Sequence, residues 1–203
     1  MDYTPELENE IQDWLREQIT PQRLDHVVGV VEAATELAER YAPGEVERCR
    51  IAGWLHDAAK HWSGEDLLAY AEARGELITP MEREVPMLLH GLVGYLVGAE
   101  QFALDDPLIK AACTNHTTSA PGMGIVEKIV FLADLIEPER RFDGVETIRK
   151  LADNNLDQAM LFTLDHSLRY LIDRKRLIDP RPLLLRNELL QASVMYDLSE
   201  VEA

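Results

Sequence analysis

Cysteine is scarce in this chain of 203 residues: its 2 cysteines, Cys49 and Cys113, lie far apart and outside any CxxC spacing. A disulfide framework and a thiolate zinc site both need more than that. Each cysteine reads as a small buried residue. Positive charge is scarce too. Lys and Arg total 20 against 37 Asp and Glu, giving a formal net charge of −17. A nucleic-acid partner normally requires a basic patch, so none is expected. No apolar run is long enough to cross a bilayer. The acidic opening Met1-Asp2-Tyr3-Thr4-Pro5-Glu6 does not read as a signal peptide. The expectation is a cytoplasmic protein with no membrane partner. Alternating strand patterns, Asn-Gly hairpin signals, low-complexity segments and internal repeats are also missing.

What is present is helical periodicity over a chain that is 46% hydrophobic, enough for one domain with a sizeable core. Thr4-Pro5 starts a first helix through Leu7, Ile11, Trp14, Leu15 and Ile19. Thr20-Pro21 starts a second that runs to about Tyr41. Pro43-Gly44 breaks the chain before a third helix carries Val46, Cys49, Ile51, Ala52 and Leu55. Ser63-Gly64-Glu65-Asp66 starts a short helix from Leu67 to Arg74, and Thr79-Pro80 opens an irregular stretch. Further helices are expected from about Pro86 to Phe102, from Asp106-Pro107 to Asn115-His116-Thr117-Thr118, and along the apolar run Ile125 to Pro138. Val145–Ala152, Leu156–Ile172 and Pro182–Tyr196 complete the set. Residues 1–19 read as an N-terminal helical extension and 20–203 as the main domain.

The third helix ends in Ala52-Gly53-Trp54-Leu55-His56-Asp57-Ala58-Ala59-Lys60. Two adjacent ionisable groups in an apolar setting are costly unless something binds them. A divalent metal fits, since imidazole and carboxylate suit iron, manganese, cobalt or zinc. Adjacent ligands cannot close a coordination shell. His26, His90, His116 and Asp134 lie in other helix-forming stretches and can converge on the pair. His61 and His166 read as ordinary polar-face residues.

The order His26, His56-Asp57, Asp134 resembles the HD superfamily of metal-dependent phosphohydrolases. The words Arg23-Leu24-Asp25-His26, Leu89-His90-Gly91, Asn115-His116-Thr117-Thr118 and Asp134-Leu135-Ile136-Glu137-Pro138-Glu139-Arg140 narrow the likeness. They are similar to the YqeK-type symmetrical bis(5′-nucleosyl)-tetraphosphatases, from about Thr20 to Asn187. The resemblance implies an all-α HD-domain helical bundle with its metal site in the centre. It also implies hydrolysis of diadenosine tetraphosphate to two ADP. It assigns His26, His56, Asp57 and Asp134 to a divalent metal, iron by preference. His90 and His116 would contact phosphate or hold a second metal. Arg23, Lys60, Thr117 and Arg140 would lie near the phosphates, and Arg176 to Arg181 would approach the nucleotide.

Asp57 and Lys60 are the catalytic candidates. Substrate contacts are expected from Arg23, Asp57, Lys60, His61, Trp62, Ser63, His90, His116, Thr117, Asp134 and Arg140. For Trp62, stacking on adenine and plain packing stay open. Two departures stand out: Ser119 where relatives often carry Gly, and Gly124 where they commonly carry Ser. The competing readings are an HD phosphohydrolase for mononucleotides or cyclic dinucleotides, a non-catalytic nucleotide-binding module, and a structural helical protein. The partner set is a small nucleotide, with a homodimer as the candidate assembly.

Overall fold

Every Thr-Pro and Asp-Pro pair in the chain opens a helix. The structure, a computed structural model, describes residues 3–196. The helices are α1 (Pro5–Gln18), α2 (Pro21–Tyr41), α3 (Val46–Leu55), α4 (Gly64–Ala73), α5 (Pro80–Glu84), α6 (His90–Phe102), α7 (Pro107–Asn115), α8 (Ile125–Ile136), α9 (Val145–Asn154), α10 (Leu156–Asp173) and α11 (Pro180–Gln191). Short 3-10 turns cover Pro43–Glu45 and Pro86–Leu89, and no strand occurs among the described residues. Thr4, Thr20, Thr79, Asp106 and Asp179 each accept a backbone N–H from the first turn that follows. Proline behind each cap lacks an N–H that would go unsatisfied there anyway.

The stretch opened by Thr79-Pro80 is a helix, because Thr79 and Glu82 form a full capping box. The helix expected from Pro86 divides at His90, where a 3-10 turn gives way to α6. The last helix begins two residues before Pro182, at the Asp179 cap, and ends at Gln191. Ser193 has left the helical region, with φ of 60°.

α3 is the hub. It packs against α1, α2, α6, α7 and α8. Ile51, Ala52, Gly53, Trp54 and Leu55 are all buried, so the second half of the helix is apolar on every side, while Glu47, Arg48 and Arg50 keep the first half at the surface. A helix end of that kind belongs in the middle of a domain. Its C-terminal end therefore delivers His56 and Asp57 to the centre of the bundle. α9, α10 and α11 pack in succession along one flank, with α8 between them and the hub.

α1 shares the main core. Ile11 and Leu15 are fully buried. Its Glu8 carboxylate accepts the Trp54 indole N–H at 2.7 Å and pairs with Arg50, both on α3. Among the described residues no helix is long and apolar enough to cross a membrane.

The turn after α7 holds one strained residue. Ser119 is fully buried with φ of 59°, and its hydroxyl has no partner. A left-handed conformation costs an L-residue about 1–2 kcal/mol, and an unpaired buried hydroxyl adds to it. Glycine relieves both at some cost in unfolded-state entropy. Ser119→Gly is expected to raise unfolding stability by about 1 kcal/mol, read as a higher urea midpoint at unchanged slope.

Candidate metal centre

Asp57 sits two residues beyond α3 at the focus of imidazoles from four parts of the chain. It is 2% exposed, and His26, His56, His90 and His116 are also buried. Its two oxygens divide the surroundings. Oδ2 lies 3.7 Å from His56 Nε2, 3.8 Å from His26 Nε2 and 3.0 Å from the Arg23 guanidinium. Oδ1 lies 3.0 Å from His90 Nε2, 3.8 Å from His116 Nε2 and 3.4 Å from Lys60 Nζ. Asp134, from the end of α8, brings Oδ1 within 3.0 Å of His26 Nε2 and 4.0 Å of His56 Nε2.

Each imidazole is held from behind by Nδ1. His56 Nδ1 pairs with the Gly53 carbonyl at 2.6 Å, His90 Nδ1 with Met87 at 2.5 Å, and His116 Nδ1 with Cys113 at 2.7 Å. In all three the acceptor is the carbonyl three residues earlier. His26 departs from that pattern: its Nδ1 meets Glu137 Oε1 at 3.0 Å. A carbonyl or carboxylate can only accept, so it selects the tautomer with the proton on Nδ1. Nε2 of all four rings is then a bare lone pair turned toward Asp57.

That arrangement suits a cation. His26 Nε2, His56 Nε2 and Asp57 Oδ1 are buried and make no hydrogen bond despite close polar neighbours. His90 Nε2 and His116 Nε2 lie 3.0 Å apart. Lone pairs so close repel unless a positive charge lies between or beside them. Two trios, His26-His56-Asp57 and Asp57-His90-His116, each bring ligand atoms within 4.8 Å of one another. Imidazole nitrogen with carboxylate oxygen is the donor set of a divalent transition metal. The cluster is a divalent metal site.

Charge within the site favours ligation. Burial works against the charged form of Asp57, but the His56, His90 and His116 rings and Lys60 hold its carboxyl well below the usual range. Asp134 is lowered in the same way, with His26, His56 and Arg140 overcoming burial. Burial, with His90 and His56 nearby, pushes His116 down to about 3. Burial also lowers His56. His26 is raised, because Asp134 and Glu137 outweigh burial.

Arg23, Lys60 and Arg140 rim the cluster with partly exposed side chains. Arg140 pairs with Asp134 at 2.5 Å, Lys60 Nζ reaches His90 Nε2 at 3.0 Å, and Thr117 Oγ1 lies 3.0 Å from His116 Nε2. His61, Trp62 and Ser63 go elsewhere. They line a shallow depression with Asp66, Tyr70 and Arg74. Ser63 is the α4 cap, and Trp62 packs edge-on to Tyr70 with ring centres 5.2 Å apart. Arg181 pairs with Asp179 and Glu82, and Arg186 with Asp165. Glu137 was not among the site residues read from sequence. Its signal is an acid ending an apolar helix just before proline, which alone does not distinguish a buried partner from a surface cap.

Gly91 lets α6 press against the His116 turn. A Cβ there would stand 2.0 Å from the Cys113 carbonyl and 2.7 Å from His116 Nδ1. These are the two atoms of the bond that aims His116. Gly91→Ala is expected to lower both stability and metal affinity, read by thermal melting and by competition with a chelator. Unchanged values for both would contradict this packing.

A profile of the HD domain family matches residues 23–139. The symmetrical bis(5′-nucleosyl)-tetraphosphatase of Bacillus subtilis strain 168 is 34% identical over 180 residues, 88% of this chain and 95% of that protein. The protein of the same name from Halalkalibacterium halodurans is 31% identical over 87% of this chain and 93% of its own length. A crystal structure from Clostridium acetobutylicum, described as a predicted HD superfamily hydrolase involved in NAD metabolism, superposes with a TM-score of 0.87. It shares 34% identity and covers 91% of this chain and 97% of its own. This chain belongs to the HD domain family, in the group that holds the symmetrical bis(5′-nucleosyl)-tetraphosphatases.

Proposed function

We propose that the chain is a metal-dependent hydrolase that splits diadenosine tetraphosphate, and related dinucleoside polyphosphates, symmetrically into two ADP. The observation that carries this reading is a buried Asp57 ringed by four imidazoles whose Nε2 atoms carry no proton and rimmed by Arg23, Lys60 and Arg140. Its relatives of 31–34% identity are named for that activity.

His26, His56, Asp57 and Asp134 would hold the metal, which we assign as iron; His90 and His116, whose bare Nε2 atoms cannot donate to phosphate, would hold a second ion with Asp57. A divalent metal in such a site polarises a phosphoryl oxygen and lowers the pKa of water. Arg23, Lys60 and Arg140 neutralise the polyphosphate, locally reversing the sign of a strongly acidic protein. Thr117 donates its hydroxyl to a phosphate oxygen. Asp57, held ionised, accepts a hydrogen bond from the attacking water and so orients it. The water oxygen bonds to one inner phosphorus, its protons pass to solvent, and the central bridging P–O bond breaks. The bridging oxygen leaves with the second ADP. Lys60 steadies the charge that develops as that bond opens. The cytoplasm, where such nucleotides arise, is the compartment we assign.

Product analysis tests the reading. Metal-loaded protein with diadenosine tetraphosphate should yield ADP alone. ATP with AMP, or orthophosphate from a mononucleotide at a higher rate, would contradict it. Lys60→Ala is expected to lower kcat about 10²–10³-fold while metal content stays at the wild-type level.

A further inference from the structure

Three of the four site histidines are aimed by their own backbone, and the fourth is aimed by a side chain. That side chain is Glu137, at the C-terminal end of α8 and 3% exposed. Its Oε1 lies 3.0 Å from His26 Nδ1, and its Oε2 accepts the Glu139 N–H at 2.6 Å. The guanidinium of Arg140 stands 3.9 Å from Oε1. Arg149 fixes the backbone beneath, donating Nε to the Ile136 carbonyl at 2.9 Å and Nη2 to the Glu137 carbonyl at 2.7 Å.

We propose that Glu137 is a positioning residue of the metal centre, which holds His26 in the Nδ1-protonated tautomer with Nε2 free for the ion. The inference rests on reading the cluster as a metal site, and it adds a residue that acts only through His26.

The geometry requires a carboxylate. Both of the hydrogen bonds that Glu137 makes bring a donor to it, so both of its oxygens must accept. An amide has one acceptor and would turn its NH₂ on His26 or on the Glu139 N–H. Glutamine fits the space but cannot satisfy both neighbours. A free imidazole in water does not by itself choose Nδ1, and α2 offers His26 no carbonyl in the role that Gly53, Met87 and Cys113 play for the others. Partners of this kind orient a ligating histidine and make it more basic toward the metal.

Gly29 gives an independent sign of how closely the carboxylate is seated. It lies one turn after His26 on α2, and a Cβ there would stand 3.0 Å from Glu137 Oε2 and 3.3 Å from Pro138 Cδ. The carboxylate, held at both oxygens, has little freedom to retreat.

The test uses zinc-loaded protein, which is diamagnetic. Glu137→Gln is expected to release zinc to a chelator about 10–100-fold faster than wild type. Gly29→Ala, which gains helix propensity, is expected to speed release in the same direction. In ¹⁵N-labelled wild-type protein the His26 proton should reside on Nδ1, and Glu137→Gln should weaken or lose that signal while His56, His90 and His116 keep theirs. A general loss of stability would not single out one ring. Wild-type His26 carrying its proton on Nε2 would overturn the inference without any variant, as would wild-type zinc release from folded Glu137→Gln. None of these readouts uses a nucleotide. Failure to cleave diadenosine tetraphosphate would sink the proposed activity and leave this inference standing.

Discussion

One carboxylate stripped of water organises the protein. Asp57 is buried just past the apolar end of α3, and ionised there it would be ruinous without compensation. Arg23 and Lys60 compensate it only in part, and four imidazoles crowd it as closely, each of the six groups less than 4 Å from one of its oxygens. The imidazoles cannot all be protonated, since burial and mutual repulsion drive His56 and His116 toward the neutral form. Neutral rings around a carboxylate with nothing to donate leave a void in charge at the centre of the bundle. A divalent ion fills it, so the metal is the counterpart to a burial that the fold imposes.

Much of the architecture serves to aim those rings. Helix ends do most of it. His56 and His116 follow directly on α3 and α7, His90 opens α6 after a 3-10 turn, and each uses the carbonyl three residues back. The division of the expected Pro86–Phe102 helix therefore has a purpose: it puts the Met87 carbonyl where His90 Nδ1 can reach it. Close helix contact supports the aim. A Cβ on Gly94 would stand 2.6 Å from the Leu55 carbonyl, so the backbone of α6 lies directly on the end of the hub helix.

The sequence announced these elements unevenly. Caps followed by proline, at Thr4, Thr20 and Asp106, mark helix starts through local chemistry and can be read without neighbours. Thr79-Pro80 and Asp179-Pro180 carry the same signal less legibly: the five residues of α5 are too few for periodicity to register, and Pro182 draws the start of the last helix forward. His26, His56, Asp57, His90, His116 and Asp134 were legible as polar residues within apolar stretches, and they do converge. The groups that aim them were not legible, because a backbone carbonyl has no letter of its own. Chain proximity is a weaker guide. His61, Trp62 and Ser63 directly follow Lys60, and the structure places them along a depression shared with Asp66, Tyr70 and Arg74, with Ser63 capping α4.

The central claim is that Asp57 and its surrounding imidazoles are a metal site and not a buried ion-pair network. Divalent metal retained per folded chain, measured after anaerobic purification in wild type and in Asp57→Ala, tests it most directly. The account predicts stoichiometric metal in the wild type and loss of most of it in a variant that keeps its helical circular dichroism. Equal metal retention in both, or a wild-type protein that folds fully and takes up no divalent ion, would contradict it.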